Sequence, residues 1–292
     1  MLKMDKIRIG VVGEGTMGVG ITLLLAAENY EVVLVGRSRS SSPTTPQKGL
    51  QKVRSILDKK VQKGKMTVET MDQQLDHISN PGELSGLHGV DFLIEAVFED
   101  LEVKRALYAE LNAVCPSNTI FASNTSSIPI NSLAGSTKRP DRFIGMHFMN
   151  PPQIMKLVEI VSGAQTSEQT RRRAIDLALS VGKTCIEVKD SPGFIANRIL
   201  MPLINEAIYC LQEGEGTVES IDAIAKLGLN HPMGPLELAD FIGLDVCLQI
   251  MRVMHVNFHD EKYAPCPLLV QMVQRGELGR KSGKGFYDHS GR

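Results

Sequence analysis

The chain has 292 residues, 42% hydrophobic and 22% charged, with a formal net charge of −1 and a sequence pI near 6.7. That balance argues against a general nucleic-acid or anionic-membrane binder, although a local basic groove is compatible with it. No apolar run approaches the roughly 20 residues that span a bilayer, Met1–Lys6 carries no signal-peptide or transit pattern, and the five cysteines are scattered, with no C-x-x-C spacing; a reducing, cytoplasmic location without a metal site or disulfide framework is expected.

Ile7 to Val12 reads as a first strand and Thr16 to Glu28 as a helix, with Ile21, Leu24 and Leu25 among its buried candidates. Glu31 to Val35 is a second strand. Lys48 to Lys65 then places Leu50, Val53, Leu57 and Val61 at i, i+3, i+7 and i+11, one stripe of an amphipathic helix. Its other face carries Lys52, Arg54, Lys59, Lys60 and Lys63, either a solvated face or a cationic rim for a phosphorylated substrate. Further strands are expected at Asp91 to Glu95, Ile120 to Ser123, Phe143 to His147, Leu157 to Val161 and Lys183 to Lys189, with helices at Leu101 to Val114 and Ser167 to Ser180. Strands alternating with helices imply βαβ units and a parallel, doubly wound α/β sheet.

After Asp190 the strand patterns stop. Helices are expected at Phe194 to Glu213, at Val218 to Leu227 with Thr217 as N-cap and Gly228 as stop, at Leu236 to Phe258 after Pro235, and at Pro267 to Gln274. The expected domains are therefore 1–189, of Rossmann type with a helical excursion at about 48–80, and 190–292, all-α. The strongly apolar run Phe194 to Leu211 exceeds what one face of a solvated helix needs, which suggests a subunit interface or burial against the first domain.

Gly13-x-Gly15-x-x-Gly18, between the first strand and first helix, has the context of a dinucleotide-binding turn. Gly13 permits the turn, Gly15 lets backbone approach a pyrophosphate, and Gly18 allows close helix–strand packing, with Thr16 and Met17 opening the helix whose N-terminus receives the phosphates. Glu14 places a carboxylate beside that site, facing solvent or weakening binding. An NAD site expects an acid at the end of the second strand to hold the ribose. Here Val35 is followed by Gly36-Arg37-Ser38-Arg39. A missing acid and two arginines suit a 2′-phosphate, so the cofactor is NAD or NADP with a lean to NADP, and Gly36→Asp is expected to shift preference toward NAD.

His147 is followed twelve residues later by Glu159. A histidine and a carboxylate beside a nicotinamide site suggest alcohol–ketone redox chemistry. The histidine takes the hydroxyl proton, and the carboxylate fixes its tautomer and stabilises the imidazolium.

Several motifs in order resemble the short-chain L-3-hydroxyacyl-CoA dehydrogenase family, which includes 3-hydroxybutyryl-CoA dehydrogenases. They are Gly13 to Gly18, Ile94-Glu95-Ala96-Val97-Phe98-Glu99, Ala122 to Ser127, His147-Phe148-Met149-Asn150-Pro151, Asp190 to Arg198, Pro232-Met233-Gly234-Pro235 and Leu278 to Tyr287. The resemblance covers nearly the whole chain. It implies a Rossmann-type domain followed by an all-α substrate and dimerisation domain, an acyl-CoA substrate and a homodimer. It implies His147 as acid–base, Glu159 as its orienting partner, Ser126 as a hydrogen bonder to the substrate oxygen, and Asn197 as an amide fixing substrate and histidine. Glu99, Lys104 and Asn124 are implied near the nicotinamide ribose. Ser126 as a turn cap, Asn197 as a helix-start hydrogen bonder and Lys104 as a solvated face stay open beside these roles. With coenzyme A as substrate, Lys52 and Lys59 become candidates for its phosphates. Two further functions stay open: a dehydrogenase of free hydroxy or sugar acids, distinguished by whether turnover needs CoA, and an idle dinucleotide-binding protein.

Overall fold

In the computed structural model of the protein, which describes residues 7–36 and 48–291, the apolar strand before the glycine turn lies inside an eight-stranded sheet. The chain divides into two units, Met1–Asp190 and Ser191–Arg292.

The first unit runs β1 (Arg8–Val12), α1 (Thr16–Ala27), β2 (Glu31–Val35), α2 (Lys48–Gln62), α3 (Val68–Asp76), β3 (Ile78–Ser79), β4 (Phe92–Glu95), α4 (Leu101–Val114), β5 (Ile120–Ser123), α5 (Ile130–Ala134), β6 (Phe143–Phe148), β7 (Leu157–Ser162), α6 (Glu168–Ser180) and β8 (Thr184–Lys189). The strand order is β3-β2-β1-β4-β5-β6-β7-β8. Central strands such as β4 and β5 are buried at every position, because helices cover both faces of the sheet. Val53 and Leu57 bring α2 onto the same core as Ile9, Val11, Ile21 and Leu34.

Three details depart from the expected elements. The helix beginning at Lys48 stops at Gln62, since Gly64 takes the left-handed φ of 65°, and α3 restarts with Thr67 Oγ1 accepting the Thr70 N–H. The short β3 adds an edge to the sheet beside β2. Most important, β7 runs antiparallel to β6. The segment 149–156 between them is too short for a crossover, so the chain must turn back as a hairpin.

The second unit is helical: α7 (Ala196–Gln212), α8 (Val218–Gly228), α9 (Pro235–Ile242), α10 (Leu244–Phe258) and α11 (Pro267–Gln274). The single helix expected from Leu236 to Phe258 is broken at Gly243, whose φ of 106° no helix tolerates. Two buried aspartates, to which the sequence assigns no role, organise this unit. Asp222 accepts the Leu236 and Glu237 N–H groups at the start of α9 and the Tyr287 hydroxyl. Asp240 accepts the Phe286 and Tyr287 N–H groups and pairs with His289 at 2.9 Å. A Cβ at Gly234 would lie 2.1 Å from Asp222, and one at Gly285 would lie 2.0 Å from Asp240, so glycine is needed at both motifs.

Candidate functional site

The C-terminal ends of β1, β4 and β5 carry, in turn, the glycine loop, the segment Ala96 to Glu99 and the segment Asn124 to Ser127, all on one edge of the sheet. This is where open α/β sheets bind ligands. Gly13 adopts a φ of 126°, and a Cβ there would stand 2.4 Å from the Ala96 carbonyl oxygen. A Cβ on Gly18 would overlap the Gly13 carbonyl oxygen at 1.8 Å, so α1 packs against its own entry turn. Gly15, by contrast, faces open space. No side chain caps α1, and its first turn holds no acid, so its N–H groups remain oriented for an anion. A groove of about 710 Å³ opens there, lined among others by Gly15, Thr16, Val19, Lys48, Lys52 and Gln153. An open glycine, an uncapped helix start and two lysines fit a dinucleotide pyrophosphate. Met17 is half-buried and packs against the core below the loop.

Glu14 is half-buried, and its side chain turns from the glycine loop toward the end of β2. Its Oε1 accepts hydrogen bonds from the Gly49 N–H and from Asn80 Nδ2, both at 2.9 Å. The same carboxylate lies against Gly36 at the end of β2. Lys52 Nζ donates to the Glu14 carbonyl at 2.7 Å, which places it on the glycine loop. Lys59 lines a smaller hollow of about 310 Å³ with Arg54 and Asp58. Arg37 and Arg39 fall outside the described residues.

The β6–β7 hairpin puts His147 directly opposite Glu159 in register. Residues opposed in an antiparallel pair share a face with Cβ atoms about 5 Å apart. The imidazole Nδ1 meets Glu159 Oε2 at 2.8 Å, with the two side chains 10% and 3% exposed. A carboxylate on Nδ1 keeps the proton there in the neutral imidazole, so Nε2 is the nitrogen that exchanges protons. Asn124 braces this strand end, its Oδ1 accepting the Phe148 N–H at 3.0 Å. Lys183, buried just before β8, donates to the Pro152 and Met155 carbonyls at 2.6 and 2.9 Å and ties down the loop that follows His147.

Ser126 lies in a loop built around Glu99. Glu99 Oε1 accepts the Thr125 hydroxyl at 2.5 Å and the Ser126 and Ser127 N–H groups at 2.9 and 3.1 Å. Lys104 is no solvated face: its side chain is 1% exposed, and Nζ lies 2.6 Å from Glu95 and 3.3 Å from Glu99. Through this pairing it adjoins Glu99, the acid that holds the loop of Ser126. Glu95 is completely buried, taking hydrogen bonds from Ser123 Oγ, the Tyr108 hydroxyl and the Val97 N–H as well. Burial opposes the charged form of both Lys104 and Glu99. Their mutual attraction, with Glu95 adding to it on the lysine and hydrogen bonds on Glu99, outweighs burial: Lys104 is raised and Glu99 lowered from their usual pKa. Burial, followed by the charge of Glu95, pushes the Tyr108 hydroxyl well above its usual pKa. Glu95 has no role among the residues expected at the site, and its one signal along the chain is an acid ending an apolar strand with a lysine nine residues on. Asn197 belongs to the second unit, buried in the first turn of α7 with its N–H on the Gly193 carbonyl. Among the described residues no group of three His, Cys, Asp or Glu side chains could hold a metal ion.

A dinucleotide turn, a histidine–carboxylate pair on the same sheet edge and a following helical unit define an alcohol–ketone dehydrogenase of the two-domain type. Residues 8–191 match the family described as 3-hydroxyacyl-CoA dehydrogenase, NAD binding domain, and residues 193–289 match 3-hydroxyacyl-CoA dehydrogenase, C-terminal domain. The chain belongs to the 3-hydroxyacyl-CoA dehydrogenase family and is an NAD-dependent oxidoreductase of hydroxyacyl-CoA substrates. It is 47% identical over 286 residues to a probable 3-hydroxybutyryl-CoA dehydrogenase of Bacillus subtilis, covering 98% of each chain. It is 48% identical to a 3-hydroxybutyryl-CoA dehydrogenase of Bradyrhizobium diazoefficiens, covering 97% of this chain and 96% of the other. The crystal structure of an (S)-3-hydroxybutyryl-CoA dehydrogenase from Ralstonia eutropha superposes with a TM-score of 0.88 at 44% identity, covering 98% of this chain and 99% of that one.

Proposed function

We propose that this enzyme interconverts (S)-3-hydroxybutyryl-CoA and acetoacetyl-CoA, with His147 as the acid–base. The observation that carries this role is the 2.8 Å pairing of His147 Nδ1 with the buried Glu159 on the same sheet edge as the glycine loop. A dinucleotide held at Gly13, Gly15 and Gly18 would supply or accept the hydride at C3 of the substrate. In oxidation, His147 Nε2 takes the proton of the 3-hydroxyl as the C3–H bond breaks, giving an imidazolium paired with Glu159. In reduction, the same Nε2–H returns the proton to the developing alkoxide. Ser126, on the loop clasped by Glu99, hydrogen-bonds the substrate oxygen. Asn197 contributes an amide for binding the substrate. Gly13, Gly15, Thr16, Met17 and Gly18 bind the pyrophosphate, and Glu99 and Asn124 shape the nicotinamide end. Lys59 steers the phosphates of coenzyme A, and Lys52, the other candidate for them, lies in the groove at the glycine loop.

The domain roles follow: 1–189 binds dinucleotide, and 190–292 provides substrate contacts and a homodimer interface. Exposed Ile199, Ile224, Leu227 and Leu229, the third of them 88% exposed, support association through this second domain. Among the described residues no helix is long and apolar enough to cross a membrane, and all five cysteines are free thiols. We place the enzyme in the cytoplasm, where such thiols stay reduced.

The test is reduction of acetoacetyl-CoA by purified protein with NADH, followed by nicotinamide absorbance, beside free acetoacetate. Turnover that requires the CoA thioester is expected. Equal turnover of the free acid, or none with either, would overturn the substrate assignment.

Glu159→Gln is expected to lower kcat with little change in NADH affinity. A neutral amide neither stabilises the imidazolium nor enforces the Nδ1–H tautomer. Unchanged kcat would remove its assigned role.

A further inference from the structure

We propose that Glu14 selects NAD over NADP, by supplying from the glycine loop the carboxylate that the end of β2 lacks. This rests on the assignment of the loop as the dinucleotide site. In such folds the acid at the end of the second strand binds the adenosine ribose hydroxyls and repels a 2′-phosphate. Here that strand ends Val35-Gly36, with no acid. The register of β1 and β2 brings the loop to the same place, because Val12 pairs with Val35 and the Gly13 N–H donates to the Val35 carbonyl at 2.8 Å. Glu14 therefore begins beside Gly36. Its side chain turns that way, because the N–H of Gly49 at the start of α2 and the amide of Asn80 after β3 both donate to Oε1.

With Oε1 so held, Oε2 is directed at Gly36, where an added Cβ would lie only 2.3 Å from it. The geometry is that of an exchange: a carboxylate in the loop and a hydrogen in place of a side chain on β2. A side chain at Gly36 would have to displace the Glu14 carboxylate, and two carboxylates in this space would repel each other. Lys52 does not cancel this charge, since its ammonium is bound to the Glu14 backbone carbonyl and lines the pyrophosphate groove. The lean to NADP drawn from the missing acid is thereby reversed, and Gly36→Asp alone is expected to harm NADH binding instead of improving it.

The experiment is isothermal titration of the full-length protein with NADH, NADPH, ADP-ribose and 2′-phospho-ADP-ribose, which reads binding without turnover. The wild type is expected to bind the nucleotides lacking the 2′-phosphate at least about tenfold tighter, the scale of a single charge-assisted hydrogen bond. Glu14→Gln keeps an acceptor for Gly49 and Asn80 but removes the charge. It is expected to shift the ratio toward the 2′-phosphorylated ligands by about tenfold or more. Gly36→Asp alone should weaken NADH, and Glu14→Ala combined with Gly36→Asp should recover both NADH affinity and selectivity. Far-UV circular dichroism and a urea midpoint without nucleotide check that each variant folds. An unchanged ratio in Glu14→Gln, a wild type preferring NADPH, or a double variant no better than Gly36→Asp overturns the proposal while leaving the loop as a dinucleotide site. A wild type that binds none of the four ligands overturns both.

Discussion

His147→Gln is expected to lower kcat roughly 100- to 10,000-fold, the usual cost of losing a positioned acid–base. Glutamine preserves bulk and a hydrogen bond to Glu159 but cannot exchange a proton at the position of Nε2. NADH affinity should change little, because the glycine loop and α1 lie on other strands of the sheet. Steady-state kinetics with acetoacetyl-CoA, paired with titration of NADH, separate the two effects. A loss below about tenfold would mean that another group carries the proton.

Lys104→Met is expected to cost about 3–5 kcal/mol of stability, the range for removing one partner of a buried ion pair. Methionine fills the place of the aliphatic stem but leaves buried Glu95 and largely buried Glu99 without their cation. Their repulsion acts directly on the loop from Asn124 to Ser127, which Glu99 holds through four hydrogen bonds. Turnover should therefore fall together with the urea midpoint followed by circular dichroism. Glu95→Gln in the same chain should restore part of the stability by relieving that repulsion. A midpoint equal to wild type would remove Lys104 from this role. The pKa directions set the pH window. Glu99, lowered in the fold, contributes stability that is complete above the usual carboxylate range, near pH 4–5, and is lost as pH falls through its lowered value. Lys104, raised in the fold, contributes stability that is complete below about pH 10 and is lost as pH rises through its raised value. The network should therefore leave stability flat between roughly pH 5 and 10.

Much of this protein is legible along the chain, because short-range rules govern it. The glycine turn, the helix from Leu101 to Val114 and the N-cap at Thr217 all follow from local periodicity, backbone freedom and capping chemistry. The halves of the chain separate for the same reason: strand patterns end near Asp190, and helical ones take over. His147 and Glu159 stand out together by residue type and by the order of the surrounding motifs, but spacing alone does not put them in contact.

Contact requires the reversal of β7. In a uniformly parallel sheet, Glu159 would follow a crossover and face a different neighbour. The hairpin places it across from His147 on the same side of the pleat. Lys104 shows the same limit: its helix is evident, yet whether its ammonium meets water or two carboxylates depends on how α4 lies over β4. Glu14 shows it most clearly. Residue by residue, Glu14 looks like an intruder beside a phosphate site, and Gly36 looks like a missing acid. Only the pairing of β1 with β2, together with the donors at Gly49 and Asn80, sets that carboxylate against that glycine. Local rules set most of the elements, their order and the chemical groups available, since these depend on neighbours a few residues away. The tertiary structure alone decided which of those groups meet, since strand direction, register and burial bring together residues that no local rule connects.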